Sequence, residues 1–138
     1  MKFLLIILSA GVVLAGCSYG RFQADVAENQ YADKQIHAVS GAAYVGEWTA
    51  STKLGLRSIK ILADGRAKVC LAGDGAGTTD GKVYLEKAKP ALIFKSGAKV
   101  EILEANGDFL LLDIYGGQEK YYAGQVDESC QSAFVNFK

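Results

Sequence analysis

From Tyr44 onward, glycine-bearing dipeptides cut the chain into short runs rich in Val, Ile, Leu, Tyr and Phe. That spacing constrains the fold more than any other feature. Asp64-Gly65, Asp80-Gly81, Ser96-Gly97, Asn106-Gly107 and Gly116-Gly117 each fall between apolar runs. Glycine adopts the positive φ of tight hairpin turns without a Cβ clash, so each dipeptide reads as a turn. The runs between them cover residues 44–50, 57–62, 67–71, 82–86, 91–95, 99–104, 109–115 and 120–126. They have the length and composition of strands. Parallel strands need crossover connections of about a dozen residues or more, and the gaps leave no room for them. The expected fold is all-β: a small antiparallel meander closed as an up-and-down β-barrel, with a two-layer sandwich as the alternative.

Alternation within the runs assigns faces. Ile59 and Ile61 lie opposite Ser58 and Lys60, and Val100 and Ile102 lie opposite Lys99 and Glu101. Leu110, Leu112 and Ile114 make one wholly aliphatic face, the better candidate for the core. Phe109, Leu111, Asp113 and Tyr115 make the other, which is apolar enough to call for cover from the N-terminal segment or a partner. Tyr44-Val45-Gly46-Glu47-Trp48 resembles the Gly-x-Trp opening of lipocalin-type barrels, in which the tryptophan packs across the barrel floor. This β region is much shorter than a lipocalin's, so its interior is expected to be filled by its own side chains.

The N-terminus carries a second resemblance. Basic Lys2 precedes an apolar stretch over residues 3–14, which runs into Leu14-Ala15-Gly16-Cys17. That stretch is shorter than the roughly 20 residues a membrane-spanning helix needs. The tetrapeptide resembles the processing box of bacterial lipoprotein precursors. The resemblance implies a signal peptide over residues 1–16 and a lipidated Cys17, bearing a diacylglyceryl group and often an amide-linked acyl chain of the palmitate type. One acyl chain holds a protein to a bilayer only marginally, whereas two make attachment stable. Ser18 stands where many relatives retained in the inner membrane have Asp. In a Gram-negative host this implies attachment to the outer membrane, most simply on its periplasmic side. Residues 17–40 mix charged and small residues with a thin apolar stripe, and read as a spacer, helical in part over residues 25–36. The β-domain is then expected over residues 41–138.

With Cys17 consumed by lipid in an exported chain, Cys70 and Cys130 remain as an even pair, which suggests a disulfide. A two-cysteine metal site is the alternative, but the one histidine, His37, lies in the spacer. No metal and no cofactor is expected. Removing residues 1–16 takes one lysine and leaves 14 Lys and Arg against 15 Asp and Glu, with no basic block. Nucleic-acid binding draws on clustered cations, so that partner is not expected.

Catalytic signatures are weak. The stretch from Gly73 to Lys82 fails as a phosphate loop, with Ala76 where the first glycine belongs and Val83 where Ser or Thr belongs. It fails as a calcium loop because the twelfth position counted from Asp74 is Leu85. A hydrolytic triad lacks a base within the β-domain. Acids such as Glu47, Glu101, Glu104 and Asp108 suit solvated faces, and Asp113 interrupts an apolar strand. The chain is therefore not expected to be an enzyme.

Tyr115, Tyr121 and Tyr122 cluster in the last hairpin and are the candidate contact surface, because exposed aromatics bury area at modest entropy cost. The expected function is non-catalytic binding of an envelope protein or a cell-wall glycan beside the bilayer. One alternative is a small lipocalin-like carrier of an apolar ligand, which needs a cavity of about 300 Å³ or more. The other is a periplasmic lysozyme inhibitor, whose Ser-Gly-x-x-Tyr element resembles Ser40-Gly41-Ala42-Ala43-Tyr44. The tail, Phe134 to Lys138, is expected to add a short last strand.

Overall fold

The computed structural model describes residues 29–73 and 77–138. The lipoprotein-type box with Cys17, the signal segment and the spacer up to residue 28 lie outside the described residues, as does the tip of the glycine-rich loop at 74–76. The fold is an eight-stranded antiparallel barrel in simple up-and-down order. Its strands are β1 (Gly46–Thr52), β2 (Gly55–Ile61), β3 (Arg66–Leu71), β4 (Gly77–Glu86), β5 (Lys89–Phe94), β6 (Lys99–Ala105), β7 (Phe109–Ile114) and β8 (Gly117–Ala123). β1 closes on β8 through Trp48 opposite Ala123 and Thr49 opposite Tyr122. The Gly124 N–H donating to the Glu47 carbonyl at 2.9 Å extends that seam.

The alternating residues fill the interior as the sequence implies. Trp48, Ile59, Ile61, Val83, Leu92, Leu110 and Leu112 are all buried in one cluster. Trp48 lies at the floor, its indole N–H donating to the Tyr44 carbonyl at 2.9 Å. Asp80-Gly81 is not a turn. β4 begins at Gly77, and Gly81 sits in mid-strand opposite Phe94. A Cβ on Gly81 would come within 2.5 Å of the Phe94 ring, so this glycine makes room for a core aromatic. The hairpin that follows turns at Lys87 and Ala88, both with positive φ and neither a glycine.

Two segments outside the sheet pack on the barrel. A short helix, α1, described over residues 29–33, leads into a strap across the floor. The domain therefore begins before residue 41, and this part of the expected spacer is structural. Tyr31 covers Tyr84, Ala91 and Ile93 on the outer face of β4 and β5. Along the strap, His37 N–H donates to the Val83 carbonyl at 2.9 Å and Val39 N–H to the Ala63 carbonyl at 2.8 Å. Val39 itself is buried in the core.

At the other terminus the chain forms a helix, α2 (Glu128–Val135), in place of the expected strand. Asp127 caps it by accepting from the Ser129 N–H at 3.0 Å. α2 lies on the outer face of β2 and β3. There the Cys70–Cys130 disulfide and Phe134 form a second buried cluster with Ala72 and Val126. Cys70 stands opposite Ser58 in register, and Ser58 shares a 2.7 Å hydrogen bond with Thr49 on the same buried outer patch. Lys60 Nζ reaches over to the Phe134 carbonyl at 2.7 Å.

Candidate functional site

The two ends of the barrel differ. The strap and Trp48 close the floor, while the opposite end, where the β5–β6 and β7–β8 hairpins turn, keeps a recess of about 210 Å³. The side chains that line it follow from strand parity. Arg57 lies two residues before Ile59 on β2, so it points into the barrel with Ile59 and Ile61. Tyr121 lines it from the inward face of β8 opposite Leu110, and Glu119, on the same face opposite Leu112, lies next to the recess without lining it. Val69, Thr79, Phe94, Val100 and Ile114 complete the wall, and Tyr115 stands at the rim.

A polar triad sits among these apolar groups. The Tyr121 hydroxyl donates to Glu119 Oε1 at 2.7 Å, and Arg57 Nη1 donates to the same oxygen at 3.2 Å. Burial, and then the hydrogen bond to Glu119, hold the Tyr121 phenol far above its ordinary pKa. Burial alone would pull the Arg57 guanidinium down, but Tyr121 and Glu119 more than offset that and raise it. The Tyr121 hydroxyl, Glu119 and the Arg57 guanidinium are arranged as one hydrogen-bonded unit. Tyr121→Phe keeps the ring and removes one charge-assisted bond. The expected loss is about 1.5–3 kcal/mol in urea-induced unfolding. A midpoint equal to wild type would show that the hydroxyl contributes nothing.

The proposed tyrosine surface divides. Tyr121 is fully buried and cannot contact a partner, because β8 turns its odd-numbered residues inward. Tyr115 and Tyr122 are both exposed, at 84% and 51%, but they stand at opposite ends of the β7–β8 hairpin. Tyr115 occupies the turn itself, with φ of 52°, rather than the end of a strand. Tyr122 instead joins Phe109, its cross-strand partner, and Lys120, whose ammonium lies 4.2 Å from the Phe109 ring centre and 5.5 Å from that of Tyr122. This outer face of β7 and β8 is not the one that α1 covers, since Tyr31 packs on β4 and β5.

The remaining sequence candidates are dispersed. Asp113 faces outward opposite Glu101, and its carboxylate accepts from the Gly116 N–H at 2.9 Å, which fixes the β7–β8 turn. His37 is held in the strap by its backbone. Ser40 to Tyr44 form the turns that carry the chain from the strap to β1, with Ala42 and Tyr44 packed against the core. Among the described residues, no three or more His, Cys, Asp or Glu gather as a metal site. Parity on β2 and β8 was the signal that places Arg57 and Glu119 inside. Neither stood out in the sequence because a charged residue breaks the apolar alternation used to find the core.

No family model matches the chain, and no curated protein does. Among solved structures, it is similar to the crystal structure of a lipoprotein YedD from Klebsiella pneumoniae, with 16% sequence identity and a TM-score of 0.62. The match covers 76% of this chain and 92% of that one. At that identity the likeness shows a common small barrel fold.

Proposed function

We propose that this chain is a lipid-anchored envelope protein whose barrel binds a protein or cell-wall component without catalysing a reaction, on the periplasmic side of the outer membrane. The observation that carries the reading is Leu14-Ala15-Gly16-Cys17 at the end of an apolar run too short to span a bilayer. The Cys70–Cys130 disulfide supports it, since disulfides persist in the oxidising compartments that exported proteins enter. The similar fold of a protein described as a lipoprotein adds to it. The group of exposed Lys120 and Tyr122 with half-buried Phe109 is the natural contact surface, in place of the three-tyrosine cluster. A recess of about 210 Å³ is small beside the roughly 300–1,000 Å³ of ordinary ligand pockets, which argues against a carrier of large apolar ligands. The packing of Ala42 and Tyr44 against the core gives the inhibitor-like element a structural task.

The test is metabolic labelling of producing cells with an alkynyl palmitate analogue, followed by membrane fractionation. Wild-type protein is expected to take up label and to sediment with the outer membrane. Cys17→Ser is expected to abolish labelling entirely. Labelling that survives the substitution, or an unlabelled wild type, would overturn the anchor.

A further inference from the structure

We propose that the recess at the barrel mouth is a binding site for a small monocarboxylate with a short apolar tail, a single aromatic ring or a short acyl chain. This does not rest on lipid attachment or on the outer contact face. Size gives the first argument. An engineered apolar cavity of about 150 Å³ holds benzene, and the recess, at about 210 Å³, has room for one ring and a small polar head. The lining gives the second. Ile59, Val69, Phe94 and Leu112 offer an apolar wall, while the polar groups among them are the Arg57 guanidinium and the hydroxyls of Thr79, Ser96 and the two tyrosines, Tyr115 and Tyr121. Among the described residues no carboxylate lines the recess, and the one carboxylate bonded to its lining, Glu119, is already paired with Arg57.

The triad supplies the third argument. Glu119 is not among the lining residues, and it engages Arg57 through a single oxygen at 3.2 Å while taking a second bond from Tyr121. A guanidinium carries five N–H donors in a fixed fork, and it matches a carboxylate in a bidentate pair. Glu119 therefore takes up one Nη1 donor of the fork and leaves the other donors for a ligand, with the Tyr121 ring lining the same recess. A buried arginine with no partner would be costly. One already paired with a carboxylate is oriented by it and keeps donors for a second. The ligand's apolar tail would lie along the wall toward Phe94, with its head at the mouth beside Arg57.

The test uses lipid-reconstituted full-length protein in phosphatidylcholine nanodiscs, titrated with phenylacetate and followed by ligand-observed NMR. Empty nanodiscs are the blank and 2-phenylethanol is the uncharged analogue. Saturable binding of phenylacetate is expected, with 2-phenylethanol about tenfold weaker or worse, the loss expected for a charge-assisted hydrogen bond. Ala98→Phe, at the recess wall, fills the space without touching charge and is expected to weaken binding by about tenfold or more. Arg57→Gln is expected to do the same. Each variant is first shown to unfold cooperatively. The proposal is overturned if wild type shows no saturable binding above the blank, if Ala98→Phe binds as wild type does, or if the alcohol binds as tightly as the acid.

Discussion

Serine at both Cys70 and Cys130 is expected to lower the stability of the domain by about 4 kcal/mol, from the loop-closure entropy of a cross-link over this span. The two residues are 60 apart in sequence and bonded in the structure. The cross-link also fixes where α2 goes. Without it, α2 is held by Phe134, by the Lys60 ammonium on the Phe134 carbonyl and by the contacts of its first turn. Its departure would expose the buried Thr49–Ser58 pair on the outer wall of the barrel. The loss is a large share of the 5–15 kcal/mol typical of whole domains. Urea-induced unfolding of the double variant against the oxidised protein measures it, and hydrogen exchange locates it. α2 amides should exchange fastest, while β4 to β7 amides keep most of their protection. Equal unfolding midpoints would show that the disulfide constrains nothing the fold does not already hold.

The strand pattern was legible because the barrel obeys period two wherever residues two apart on a strand are both apolar. Ile59 with Ile61, Val100 with Ile102, and Leu110 with Leu112 all point inward as the alternation demands. Illegible positions share a physical cause: a residue serving a contact distant in sequence. Gly81 resembles a turn glycine but answers to Phe94 across the β4–β5 pair. Lys87 and Ala88 carry no turn signature, yet they take positive φ because the strands on either side are already in register. Tyr121 reads as surface beside Lys120 and Tyr122. It is buried because Arg57, far away in sequence on β2, and Glu119 form the polar unit that its hydroxyl completes. The tail from Phe134 to Lys138 reads as a short last strand, but Asp127 caps a helix over Glu128–Val135 that takes in its first two residues, and Cys130 ties that helix to the outside of the barrel.

Gly65→Ala is expected to destabilise the domain by about 2–4 kcal/mol, combining a left-handed backbone cost of about 1–2 with an overpacking cost of about 1–3. Gly65 sits at φ of 92° in the β2–β3 turn, where the strap crosses it. An added Cβ would meet the His37 carbonyl oxygen, and the Ile36 side chain at 3.0 Å. The clash is with backbone, so a rotamer change cannot relieve it. Either the turn deforms or the strap lifts. The Gly65 carbonyl accepts from the Val83 N–H at 2.7 Å, and the Val83 carbonyl accepts from His37. Turn, β4 and strap are therefore joined in one chain of hydrogen bonds. Lifting the strap would withdraw Val39 from the core and open the floor beneath Trp48. Gly107→Ala is the control, since its Cβ meets nothing within 4 Å and its φ is not left-handed. It should stay within about 0.5 kcal/mol of wild type. Trp48 reports the difference directly. Its emission is expected to shift to the red in Gly65→Ala under conditions where Gly107→Ala and wild type stay alike. If stability falls without that shift, the turn alone has deformed and the floor remains closed. If neither changes, the close approach at Gly65 does not hold the strap.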